Sequence, residues 1–339
     1  MYRPCLTRLQ ILPTTTDMKK SLFVALIVYI TVLCTSCVGP FFVYYALETH
    51  DLTQKLRDSR AKDVSEMNPH ELYIYDNAKL IRQHTDSWLE CCAPESWSQK
   101  TPDGLTLRAN FFENKDSHKY AIIIHGWTSK KEDMYNYGAF FYDWGYSVLA
   151  PDNRAHGSSD GQYTGMGWLD SNDYLEWINM IIRKDPDAQI TMLGVSMGGA
   201  TVMMTSGLDL PANVKCLVED CGYSNVWDEF AYMMKEDMHL PVWPLLDISA
   251  NAADRMVNYS IREASSLTRL EKAKIPMLFI HGTEDTFVPY AMLDENIAAY
   301  KGPYKEVLRV EGAQHAEALF QNTELYLKTV KAFCDKFIK

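Results

Sequence analysis

Ser196 stands in Gly194-Val195-Ser196-Met197-Gly198, entered through the apolar run Ile190-Thr191-Met192-Leu193 and left through Gly199-Ala200. The pattern reads as strand, sharp turn, helix. Small residues at Gly194 and Gly198 let the backbone pass close to itself, and the turn lifts the Ser196 hydroxyl above the sheet edge. An unaided serine hydroxyl is a poor nucleophile and needs a base, held in turn by an acid. Asp285 lies in Thr283-Glu284-Asp285-Thr286, after the apolar run 275–282, and His315 lies in Gly312-Ala313-Gln314-His315, after the run 304–310. Nucleophile, acid and base therefore follow in chain order, each just past an expected strand. The chemistry this permits is attack on an acyl carbonyl. The N–H of Met197, at a helix start, and the N–H of Trp127, in Gly126-Trp127-Thr128-Ser129, are the expected donors to the developing oxyanion.

Rivals for each role occupy the same kinds of position. Asp220 ends another strand and Glu284 adjoins Asp285, but both rank below Asp285 as the acid. His125 follows the run Tyr120–Ile124 and is expected to tie its loop down rather than move a proton. Arg154, His156 and Asp160, in the polar loop after 146–151, are expected to support the oxyanion region.

The elements that must place these groups are legible as short apolar runs. Residues 120–126 are continuous rather than alternating, as for a strand covered on both faces, and 146–151, 190–195, 214–219, 275–282 and 304–310 read as the further strands. Residues 97–100 and 105–112 alternate, joined by the turn Thr101-Pro102-Asp103-Gly104, and read as antiparallel edge strands. Tyr174, Trp177, Ile178, Ile181 and Ile182 recur at helical spacing. Residues 135–144 and 326–337 also read as helices, and Val288-Pro289 as the start of another. Residues 223–262, with Trp227, Phe230, Met233, Met234 and Met238, read as a helical cap, serving either to line an apolar substrate pocket or only to pack.

The chain has 339 residues, 47% of them hydrophobic, and a formal net charge of −11. No basic stripe is visible, which argues against nucleic-acid binding. The eight cysteines form neither a zinc-finger spacing nor a disulfide framework, and no cofactor fingerprint or metal-ligand cluster is present. From 21 to 46 the chain is apolar and almost uncharged, preceded by Lys19 and Lys20. This predicts a signal-anchor helix crossing a membrane, with 1–20 as a cytoplasmic or non-native leader and the rest outside the cell membrane. A cleaved signal peptide and lipidation at Cys37 are the alternatives. Residues 47–95 are expected to form a helical linker or brace, and 96–339 the catalytic unit.

The segments His125-Gly126, Asp152–Ser159, Gly194–Gly199, His281–Pro289 and His315 resemble the α/β-hydrolase superfamily, from about Trp97 to the C-terminus. Within it the chain looks like membrane-anchored bacterial serine hydrolases, with prolyl-oligopeptidase-like and feruloyl-esterase-like relatives. The resemblance implies a mostly parallel eight-stranded sheet flanked by helices, with a helical cap and an N-terminal helical extension. It carries the nucleophile to Ser196, the acid to Asp285 and the base to His315. Members carry Arg-Gly-His-Gly where this chain has Arg154-Ala155-His156-Gly157, which leaves that loop's backbone path open. The expected activity is hydrolysis of small or medium carboxylic esters through an acyl-enzyme. A peptidase, an amidase, an acyltransferase or a membrane-tethered binding protein are the alternatives. Oligomeric state is not legible.

Overall fold

The computed structural model describes residues 39–48 and 63–339. Eight strands form one sheet: β1 (Glu95–Lys100), β2 (Thr106–Phe112), β3 (Lys119–Ile124), β4 (Ser147–Pro151), β5 (Gln189–Val195), β6 (Val214–Asp220), β7 (Met277–Gly282) and β8 (Lys305–Val310). Their order is β1-β2-β4-β3-β5-β6-β7-β8. Pairings involving β2 are antiparallel and all others are parallel. This is the mostly parallel, helix-flanked sheet that the sequence implies.

The central strands β3 to β7 are largely apolar because both of their faces are covered, whereas the edge strands β1 and β8 carry exposed polar residues. Successive side chains point to opposite faces. Ile123, Leu193, Val218 and Ile280 pack with Trp88, Phe141 and Phe333 on one face. Ile122, Met192, Leu217 and Phe279 pack with Trp177, Ile181 and Leu293 on the other. Each such fully buried side chain contributes about 1.5–3 kcal/mol relative to exposure.

The helix Pro69–Cys91 begins with a capping box, Asn68 accepting from the Glu71 N–H and Glu71 from the Asn68 N–H, with proline in its first turn. It buries Ile81, Thr85 and Trp88 against the helices Tyr135–Asp143 and Ala318–Gln321. The Trp88 ring lies 4.3 Å from Phe112 and 6.1 Å from Tyr135. Between β6 and β7 the chain inserts the helices Val226–Glu236 and Val242–Met256. They form a third apolar cluster with Met166, Met197 and Met204.

The expected membrane span is overturned where it is described. Residues 21–38 lie outside the described residues, as do the leader 1–20 and Cys34 and Cys37. Residues 39–47 are helical and lie on the globular body. Val43 and Leu47 are 2% and 1% exposed within the third cluster. The Thr164 N–H donates to the Leu47 carbonyl at 2.8 Å, and Glu48 bridges to Tyr163. These apolar side chains are buried against protein rather than lipid. No helix among the described residues is long and apolar enough to cross a membrane. The membrane as a partner, the cell-membrane location and the likeness to membrane-anchored hydrolases are therefore withdrawn.

Candidate active site

Ser196 sits between β5 and the helix Met197–Ser206 with φ 59° and ψ −121°. A non-glycine residue there is strained. The turn is held by the Ser196 N–H donating to the Asp220 carbonyl at 2.8 Å. A Cβ at Gly194 would overlap the Gly198 carbonyl, and one at Gly198 would overlap the Ile124 carbonyl. Those two glycines permit the close approach expected of them.

Because β5, β6, β7 and β8 are consecutive neighbours, their C-terminal ends bring the three loops to one edge. His315 Nδ1 lies 2.8 Å from Asp285 Oδ2, and its Nε2 lies 2.9 Å from Ser196 Oγ. A carboxylate only accepts, so Nδ1 carries the proton and Nε2 is left to accept from the serine. Asp285 Oδ1 accepts from the Phe287 and Val288 N–H groups at 2.9 and 3.0 Å. His281 Nε2 lies 3.3 Å from Asp285 Oδ2 and 3.1 Å from the Val288 carbonyl. Burial pushes the Asp285 carboxyl up, but bonds from His281 and His315 and their charges outweigh it and hold it at about 2. The Phe287 ring packs 4.8 Å from that of His315. This is a Ser-His-Asp triad at a nucleophile elbow, and it makes the protein a serine hydrolase.

The rivals fall elsewhere. Asp220 is buried and accepts from the Tyr326 hydroxyl at 2.9 Å; burial raises its carboxyl to about 6. Glu284 is exposed. Buried His125 bridges two loops, with Nδ1 2.7 Å from the Gly126 carbonyl and Nε2 accepting from the Asn153 N–H at 2.9 Å. His156 Nε2 accepts from the Thr128 N–H at 3.3 Å, tying the polar loop to the segment after Trp127. Arg154 pairs with Asp173 and Asp103 at 2.6 and 2.7 Å, and Asp160 with Arg108 at 2.9 Å. Ala155 holds φ 57°, the left-handed region that glycine favours. The loop thus keeps a positive φ at this position despite the alanine.

Met197 is the first residue of its helix, where N–H groups have no intrahelical acceptor. Gly126 lies against Ser196: a Cβ there would stand 3.3 Å from the serine Cβ. Trp127 follows directly. Beside Ser196 opens an apolar pocket lined by Trp127, Phe230, Met234, Leu246 and Phe287, and also by Phe42 and Val43. The cap side chains therefore line the pocket as well as pack. Sequence reasoning missed two contributors. The segment 39–48 reads in sequence as the end of a membrane span followed by the start of a linker, and Glu229, which also lines the pocket, looks like an ordinary surface charge beside Asp228. The closest grouping of possible metal ligands among the described residues is Cys221, Asp285 and His315. It consists of the triad's acid and base beside a thiol that burial pushes far up.

Residues 122–240 match the family described as alpha/beta hydrolase fold. The uncharacterized protein YqkD of Bacillus subtilis is 30% identical over 233 residues, covering 68% of this chain and 76% of its own. The uncharacterized peptidase YuxL of the same organism is 24% identical over 261 residues, covering 70% of this chain but 37% of its own. The Pyrococcus furiosus esterase Pf2001 superposes with a TM-score of 0.62 at 25% identity, over 74% of this chain and 93% of its own. The relay, the sheet order and the YqkD match agree, and the chain belongs to the α/β-hydrolase family.

Proposed function

We propose that the protein hydrolyses carboxylic esters of small or medium apolar acyl groups. One observation carries this: the Ser196–His315–Asp285 relay opens onto a pocket walled almost wholly by carbon and sulfur. The likeness to an esterase supports it. His315 Nε2 takes the Ser196 proton as Oγ attacks the carbonyl carbon, then delivers it to the departing alkoxide. Asp285 keeps the ring oriented and stabilises the imidazolium. The N–H groups of Met197 and Trp127 hold the tetrahedral oxyanion; removing one such donor costs about 10²–10³-fold. Water activated by His315 then releases the acid.

Replacing Ser196 tests the reading. In Ser196→Ala, turnover of a p-nitrophenyl ester falls by about 10⁴-fold or more and fluorophosphonate labelling disappears, while the far-UV circular dichroism spectrum is kept. Wild-type turnover in that variant overturns it. The same relay serves amides and thioesters, so a matched ester, thioester and amide panel separates those activities.

A further inference from the structure

We infer that Glu229 is a specificity-determining residue that selects ester substrates whose apolar chain carries a hydroxyl group. This rests on the serine-hydrolase reading of Ser196. Glu229 lies on the cap helix Val226–Glu236, lines the same pocket as Ser196 and is 2% exposed. Neither carboxyl oxygen has a hydrogen-bond partner among the described residues. The Trp127 indole N–H, also on the pocket wall, is equally without one. Tyr45, half-buried, also borders the pocket, and two further polar side chains there are already committed. Ser249 donates to the Leu245 carbonyl at 2.8 Å, and the Tyr223 hydroxyl to the Met166 carbonyl at 2.9 Å.

Buried polar groups are normally satisfied, and those left open in a ligand pocket wait for the ligand. The chemistry of the two groups identifies it. Burial pushes the Glu229 carboxyl far above its ordinary range, and the charges of Asp285 and Asp237 push the same way. The group is then a neutral acid with one donor and one acceptor. A hydroxyl has the matching set: it donates to the Glu229 carbonyl oxygen and accepts from the Glu229 or Trp127 donor. An ammonium fits poorly, because it brings three donors to a single acidic group and faces an indole N–H. An unsubstituted chain leaves both protein groups unpaired, which a site of this kind discriminates against.

Matched esters differing only by a mid-chain or terminal hydroxyl, on the acyl or on the alcohol side, test this by titration of the acid released. The wild-type protein is expected to favour at least one hydroxylated ester by about tenfold or more in kcat/KM. Glu229→Leu and Glu229→Met are each expected to lower that ratio by about tenfold or more, and Glu229→Gln, which keeps a donor and an acceptor in place, to retain most of it. The ratio cancels losses common to both substrates, which a purely structural role would cause. Wild-type turnover without preference across the series overturns the inference, as does a preference unchanged in both apolar variants. If no ester is turned over at all, the reading of Ser196 fails instead.

Discussion

Asp285 accepts from two backbone N–H groups and faces two histidine rings. An asparagine in its place turns an amide N–H toward one of those rings. Asp285→Asn is therefore expected to lower kcat by about 10⁴-fold with little change in KM, read from steady-state ester kinetics. Asp285 and Glu229 also have opposite pH signatures. The folded value of Asp285 is depressed to about 2, so its contribution to stability is complete above the unfolded carboxylate range and is lost as pH falls toward 2. That contribution is about 2 kcal/mol, and Asp285→Asn should flatten the acid limb of a pH–stability curve. Glu229 is displaced upward, so the fold holds its proton more tightly than the unfolded chain does. Stability is then lost as pH rises from the unfolded value, near 4.3, through the folded one. Glu229→Gln should gain stability over the wild type as pH rises through that window, measured by urea midpoints. The triad was legible because the chemistry restricts residue types and places them at strand ends. Glu229 was not: Asp228-Glu229 in an amphipathic helix gives no sign of which acid faces inward.

The elbow and its neighbouring strands do the positioning. Gly194→Ala forces a methyl group into the Gly198 carbonyl, and the strained Ser196 leaves no slack to absorb it. We expect a loss of about 1–3 kcal/mol in urea unfolding, with a fall in kcat as the hydroxyl is displaced. On the helix Pro69–Cys91, Asn68→Ala removes the cap and is expected to cost about 1 kcal/mol without affecting turnover. The central strands were readable because cover on both faces removes most polar residues from them, and the edge pair from its alternation and turn. Element ends were less so. Val288-Pro289 suggests a helix start, yet the helix begins at Ala291, because Asp285 captures the N–H groups of Phe287 and Val288 and holds them in a turn.

At the scale of the whole molecule, apolar composition records that side chains leave water, not where they go. The run 21–46 satisfies the length of a bilayer span, yet one face of its described end, with Val43, is buried beside the cap. Phe42, Val43 and Leu47 come from far along the chain to line the substrate pocket. Deleting residues 1–48 should lower the melting temperature and raise the relative rate on bulky acyl esters, checked by calorimetry and a chain-length series. The practical consequence falls on cloning. A shortened gene, trimmed on the assumption that its first stretch encodes only a leader, would encode a catalyst with one side of its specificity missing. Substrate screens run on such a product would profile a different enzyme.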